Sequence, residues 1–283
     1  MTIHQDATPL LDVADLNVRF HTRTGIVHAV RGISFTLGRE RLGIVGESGS
    51  GKSMTGRAIL DLIPPPGEVR AERMMFAGKD LMTMPASERR ALRGARMSMV
   101  MQDPKFSLNP VMTVGAQIAE GYRVLRKASR REAKERALEM LEAVRIRDPK
   151  RVYGLYPHEV SGGMGQRVMI AMVLIAEPDL LIADEPTSAL DVTVQMQVLA
   201  ILDDLVSQRG MGLIFISHDL SLVGSFCDRV IVMYAGKAVE TLAARDLADA
   251  KHDYTRGLLR CVPELDRADD MLPTLKREAA WLA

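Results

Sequence analysis

Four short, unbroken apolar runs punctuate the chain: Leu42–Val45, Leu180–Ala183, Leu213–Ile216 and Val230–Met233. Runs of this length, bounded by turns and lacking polar interruptions, suit strands covered on both faces, as in parallel sheets. Beside them lie stretches with helical patterning: Ser53–Leu62 ahead of Pro64-Pro65-Pro66, then Gln166–Ala176, Val192–Ser207 and Leu220–Phe226. Strands alternating with helices predict an α/β fold with a mostly parallel sheet. The stretch from about Pro104 to Pro157 departs from this pattern. It has few strand signals, and Ala133, Ala137, Met140, Leu141 and Val144 form one apolar stripe opposite a face of Arg, Lys and Glu. A helical subdomain of about residues 104–165, inserted into the α/β core, is the expectation. No internal repeat is visible, and the tail beyond about Leu242 is only weakly patterned.

Composition narrows the function classes. The 37 Lys+Arg and 36 Asp+Glu nearly cancel, so no net field draws the chain onto nucleic acid or anionic lipid. Its two cysteines, Cys227 and Cys261, lack metal-ligand spacing and suit a reducing compartment. The longest apolar run, Val168–Ala176, is about half of what a membrane crossing needs. Met1–Leu11 carries Asp6 and has no basic region followed by an apolar stretch, so no signal peptide is expected. A soluble chain follows, long enough for one large domain or two modest ones.

Candidate chemistry begins at Gly46-Glu47-Ser48-Gly49-Ser50-Gly51-Lys52-Ser53, which fits the Walker A phosphate-loop pattern. The segment lies between an expected strand and an expected helix. There the glycines let backbone N–H groups turn toward phosphate oxygens, and the helix N-terminus adds positive potential. Lys52 is expected to reach the β- and γ-phosphates, and the Ser53 hydroxyl to ligate Mg²⁺. A flexible Gly/Ser connection is the plainer alternative, and the strand–loop–helix context argues against it. Leu180-Leu181-Ile182-Ala183 then delivers Asp184-Glu185, an apolar strand ending in carboxylates. This is the Walker B arrangement, in which Asp184 is expected to hold the Mg²⁺ shell and Glu185 to orient or deprotonate the attacking water; plain loop surface is the alternative, and the preceding phosphate loop argues against it. Ser161-Gly162-Gly163 opens the helical run to Ala176 as a second possible anion site, with Ser161 able to cap the helix.

In detail, Val160-Ser161-Gly162-Gly163-Met164 resembles the signature of the ABC ATPase family. Ser188-Ala189-Leu190-Asp191 is similar to its D-loop, Gln102 to its Q-loop, and His218, after Phe215-Ile216-Ser217, to its switch histidine. Within the family the chain resembles the ATPases of oligopeptide and dipeptide importers, whose relatives also handle nickel and glutathione. Gln102-Asp103-Pro104, Ser107-Leu108-Asn109-Pro110, Asp184-Glu185-Pro186-Thr187-Ser188-Ala189-Leu190-Asp191-Val192-Thr193 and His252-Asp253-Tyr254-Thr255-Arg256-Gly257-Leu258-Leu259 carry that likeness. Val160 and Met164 stand where Leu and Gln are commonest in the general signature.

The resemblance implies a P-loop NTPase core with an antiparallel β part near the N-terminus. It implies an ATPase domain over residues 1–240 and a C-terminal extension over 241–283. Some members carry a Cys-rich segment there that holds an iron–sulfur cluster; this chain has none, so no cluster is expected. ATP and Mg²⁺ are the implied ligands, with Ser53, Gln102 and Asp184 on the metal. Glu185 and His218 are the implied catalytic residues. Gly46 to Ser53, Gln102, Ser161 to Gly163 and Asp191 are expected around the nucleotide, and Phe20 is the candidate for stacking on adenine. The expected partners are a second ATPase, identical or homologous, two integral membrane permeases, and indirectly an extracytoplasmic solute-binding protein; no nucleic acid is expected. The expected location is peripheral, on the cytoplasmic face of a prokaryotic plasma membrane. A non-transport ABC ATPase, of the translation or chromosome type, is the alternative.

Overall fold

The computed structural model describes residues 8–101, 108–188, 190–261 and 281. In chain order the elements begin with β1 (Leu11–Thr22), β2 (Gly25–Leu37), β3 (Arg41–Val45), α1 (Lys52–Ile59), β4 (Gly67–Arg70), β5 (Arg73–Phe76), β6 (Lys79–Asp80), α2 (Ala86–Leu92) and β7 (Met97–Val100). Helices α3 (Val114–Arg126), α4 (Arg130–Ala143), α5 (Pro149–Tyr153) and α6 (Gly162–Leu174) follow. The rest comprises β8 (Leu180–Asp184), α7 (Val192–Arg209), β9 (Gly212–Ser217), α8 (Leu220–Phe226), β10 (Arg229–Tyr234), β11 (Lys237–Ala243) and α9 (Asp253–Arg260). Two compact units result, one of Met1–Pro85 with Gly212–Ala283, the other of Ala86–Met211.

The first unit contains both kinds of sheet. An antiparallel sheet runs β2-β1-β5-β6, with β4 also on β1, as the N-terminal expectation had it. A second sheet runs β11-β10-β3-β9 within this unit; β10, β3 and β9 are parallel, and β11 is an antiparallel edge. β9 is buried throughout, and β3 nearly so, because both faces of these strands are covered. Each Leu, Ile or Val enclosed in this way contributes on the order of 1.5–3 kcal/mol. At the edge of β3, the Asp228 carboxylate accepts the Arg41 N–H (2.8 Å). Beside it, burial and then Asp228 push the Cys227 thiol up to about 12, with Arg41 opposing.

Two elements here differ from expectation. Helix α1 stops at Ile59, before the proline run, because the chain closes a Schellman turn there. The Leu62 N–H returns to Arg57 O (2.8 Å) and the Asp61 N–H to Ala58 O (3.1 Å), with Asp61 at φ 57°. The tail beyond Leu242 is also more ordered than its pattern suggests, through residue 261. Glu240 on β11 accepts the N–H groups of Lys251 (2.7 Å) and His252 (3.3 Å), and His252 Nδ1 then caps α9 by accepting the Tyr254 N–H (3.2 Å). A helix of 8 residues is too short to show a periodicity against its surroundings.

The second unit pairs β7 and β8 in parallel and contains helices α2 to α7. Ala133, Ala137, Met140 and Leu141 of α4 are all buried, as the stripe requires, and Ser129 caps this helix through the Glu132 N–H (3.2 Å).

Candidate functional site

In the first unit the segment Gly46–Ser53 leaves the C-terminal end of β3 and turns into α1. Its turn depends on two glycines. Gly46 has φ 148°, and a Cβ there would lie 2.2 Å from Met233 O; Gly51 has φ 100°, and a Cβ there would lie 2.3 Å from Ala29 O. The loop is thus threaded against the backbones of β10 and β2, where only glycine fits. Lys52, 5% exposed, opens α1 and folds back, donating Nζ to the carbonyls of Gly46 (2.7 Å) and Glu47 (2.8 Å). The Gly236 N–H donates to Ser50 O (3.0 Å), fixing the far side of the turn. Ser50 Oγ is buried and has no hydrogen-bond partner among the described residues.

This loop suits an anion. The first turn of α1 carries no acidic residue to offset its N-terminal dipole, and a buried ammonium lies beside it. The half-buried Ser53 supplies a hydroxyl, a hard oxygen donor of the kind Mg²⁺ takes. Among the described residues no group of three or more His, Cys, Asp or Glu forms a metal cage.

Strand register brings His218 to the same sheet end. Val45 pairs with Ser217 on β9 and with Val232 on β10, so Gly46 and His218 follow the ends of adjacent parallel strands, and Met233 of β10 lies at the same level. Ligands of open α/β sheets collect at these carboxyl ends. His218 is exposed, and Asp219 beside it caps α8, accepting the Leu222 N–H (3.0 Å) while its own N–H donates to Ser217 Oγ (3.0 Å). Phe20 sits half-buried on β1, paired with Val27 and Gly67; a Cβ on Gly67 would lie 2.8 Å from Phe20 Cε1, so part of the ring is covered.

In the second unit, β8 ends on Asp184, 5% exposed, followed by the half-buried Glu185. Glu185 adopts φ 47°, a left-handed backbone unusual for a side chain of this size. Its carbonyl accepts both the N–H (3.3 Å) and the hydroxyl (3.2 Å) of Ser188. Ser161 caps α6 by accepting the Met164 N–H (3.3 Å), and Asp191 caps α7 by accepting the Val194 N–H (3.0 Å). The two caps meet through one side chain, since a Cβ on Gly163 would lie 2.7 Å from Val194 Cγ1. Gly162 differs: a Cβ there meets nothing within 4 Å.

Three contacts of α6 escaped the sequence reading. Gln166, 2% exposed, donates Nε2 to the carbonyl of Pro186, tying this helix to the loop after β8. Arg126 and Arg209 donate to the carbonyls of Ala176 and Leu174 at its C-terminal end, where cations suit the dipole. Burial holds the Arg209 guanidinium below its ordinary range, although Glu177 nearby opposes this. Gln166 opens the helical run Gln166–Ala176 already singled out, but a partner 20 residues away leaves no local signal. Gln102 and Ala189 lie outside the described residues.

Known proteins share this organisation. The ABC transporter family model matches residues 30–188. A putative peptide import ATP-binding protein of Brucella abortus is 48% identical over 277 residues, covering 97% of this chain and 83% of that one. The oligopeptide transport ATP-binding protein of Bacillus subtilis is 49% identical over 266 residues, 93% of this chain and 74% of the other. The dipeptide transport ATP-binding protein of Haemophilus influenzae is 47% identical over 269 residues, 94% and 82% respectively. Among solved structures, a dimeric ATP-binding cassette bound to ADP and Pi matches with TM-score 0.74 at 24% identity, covering 83% of this chain and 99% of that one. A component of an ABC transporter complex from Clostridium perfringens matches with TM-score 0.71 at 26% identity, covering 86% and 92%.

Proposed function

Because the chain belongs to the ABC transporter family, on the branch of the peptide-import ATP-binding proteins, we propose that it hydrolyses ATP to energise an importer of di- or oligopeptides or a related small solute. The observation that carries this reading is the phosphate loop. Lys52 is buried at its centre, and Gly46 and Gly51 lie where any side chain would collide with backbone.

The residues divide the work by their chemistry. Backbone N–H groups of Gly46 to Ser53 and the Lys52 ammonium bind the phosphates, and Phe20 offers its ring to adenine. Ser53, Gln102 and Asp184 would supply the protein oxygens for Mg²⁺, which would neutralise charge on the phosphates. Glu185 accepts a proton from the attacking water, and His218 orients that water and the terminal phosphate. Ser161, Gly162 and Gly163 close over the nucleotide of a partner ATPase, and Asp191 holds the adjoining helix start in place. The open space at Gly162 supports that role, because no described residue lies within 4 Å of a Cβ placed there. Closure excludes water and adds donors where charge develops.

No helix among the described residues is long and apolar enough to cross a membrane. The pore therefore belongs to other polypeptides in this reading: two permeases, fed by an extracytoplasmic solute-binding protein. The ATPase sits peripherally on the cytoplasmic face of a prokaryotic membrane. Affinity purification of the tagged chain from its own cells tests this. Integral membrane proteins should co-purify, and ATP hydrolysis of the reconstituted complex should rise with a liganded solute-binding protein. Co-purification with ribosomes or DNA and no membrane protein would replace this reading with a non-transport ATPase.

A further inference from the structure

We propose that Tyr254 is a positioning residue for the phosphate loop, so that the C-terminal extension helps to set how tightly that loop holds a nucleotide. This rests on the reading of Gly46 to Ser53 as the ATP site. Tyr254 is the first aromatic of α9 and is 0% exposed. Its phenol oxygen accepts the backbone N–H of Glu47, the second residue of the loop, at 3.0 Å. Through its carbonyl the same residue receives both Lys52 Nζ (2.8 Å) and the Ser50 N–H (3.2 Å). One residue therefore connects the phenol to the ammonium that faces the phosphates.

The phenol is itself held from several sides. Its ring packs on Tyr234 (centroids 4.6 Å apart) and on Trp281 (5.4 Å), and Tyr234 meets Trp281 edge-on (5.5 Å). Tyr234 ends β10, the strand whose Met233 carbonyl abuts Gly46. Behind it, Glu240 on β11 grips the start of α9 through the N–H groups of Lys251 and His252. These anchors make Tyr254 a rigid post, not a mobile surface ring. Packing alone would need only the ring. The hydroxyl adds a hydrogen bond to a loop backbone donor in a half-buried place, and losing it there is costly.

Tyr254→Phe separates the two roles, because it keeps the ring and removes the acceptor. The full chain would be titrated with Mg²⁺ and a non-hydrolysable ATP analogue by calorimetry, with Lys52→Ala alongside. Expected for Tyr254→Phe are a dissociation constant raised about tenfold and faster hydrogen exchange confined to the loop peptide. In the assembled transporter, KM for ATP should rise while kcat stays within about twofold. A lowered melting temperature with analogue affinity and loop exchange unchanged would reduce Tyr254 to core packing and overturn the proposal. Unchanged affinity in Lys52→Ala would instead overturn the ATP-site reading, and the proposal with it. If Tyr254→Phe does not fold, the native chain still decides. Its Glu47 amide must exchange as slowly as the amides of β3, and fast exchange there overturns the proposal.

Discussion

Glu185 carries two demands at once, a carboxylate at the end of a buried strand and a left-handed backbone at φ 47°. Such a conformation costs of the order of 1–3 kcal/mol and persists where neighbours impose it, here the paired hydrogen bonds of Ser188 to its carbonyl. Glu185→Gln preserves shape and backbone while removing the proton acceptor. ATP binding should therefore survive and steady-state hydrolysis should fall by about a hundredfold or more; near-normal turnover in the assembled transporter would assign the proton to another group. Cys227 provides a pH prediction. Its folded pKa is raised to about 12, so the native state favours the neutral thiol. That contribution is complete below the ordinary thiol value of about 8.5 and is lost progressively as pH rises toward the folded value. Urea midpoints of the native chain and Cys227→Ala, compared from pH 7.5 to 10.5, should converge as pH rises. At this scale residue type and spacing in the sequence pointed to Lys52, Asp184 and Glu185 as candidates, but the backbone of Glu185 and the environment of Cys227 depend on neighbours no local pattern reveals.

Helix α6 is fixed at several points: Ser161 at one end, Arg126 and Arg209 at the other, and Gln166 on the loop after β8. Its two leading glycines should respond in opposite ways to the same methyl group. Gly163→Ala drives a Cβ to 2.7 Å from Val194 Cγ1 and should destabilise by about 1–3 kcal/mol, the ordinary cost of overpacking. Gly162→Ala meets open space and should leave stability unchanged or raised by up to about 1 kcal/mol, since alanine favours a helix. Thermal melts of the two variants decide; equal losses would mean that the two positions are not distinguished by packing. Strands were legible in both units because Leu180–Ala183 in one and Leu213–Ile216 in the other are buried and carry no polar interruption. Helix α1 ends earlier than its apolar pattern because backbone hydrogen bonds from Asp61 and Leu62 close it. Helix α9 was hidden because its anchors, Glu240 and Glu47, lie outside its own sequence.

At the scale of the whole molecule, the exposed start of α6 is proposed to serve the nucleotide of a partner ATPase, and this carries a prediction of its own. Gly162→Asp should leave the nucleotide affinity of its own chain near normal while turnover falls by about a hundredfold or more. Mixed with Lys52→Ala chains, in a pairing confirmed by two tags, it should regain one working site, because each variant supplies what the other lacks. If the native partner is a non-identical ATPase, the two changes belong on opposite subunits. No recovery in a verified mixed pair would mean that Ser161 to Gly163 serve their own chain. The unequal settings of the chain's two thiols bear on how such pairs can be followed. Cys227 is buried and keeps its proton at neutral pH, whereas Cys261, half-buried, follows the end of α9. A maleimide dye added to the native protein at pH 7 therefore sorts between them without mutagenesis, marking Cys261 and sparing Cys227. Each chain then bears a single beacon at the end of α9, and energy transfer between two beacons would report whether two chains meet and part as ATP is hydrolysed.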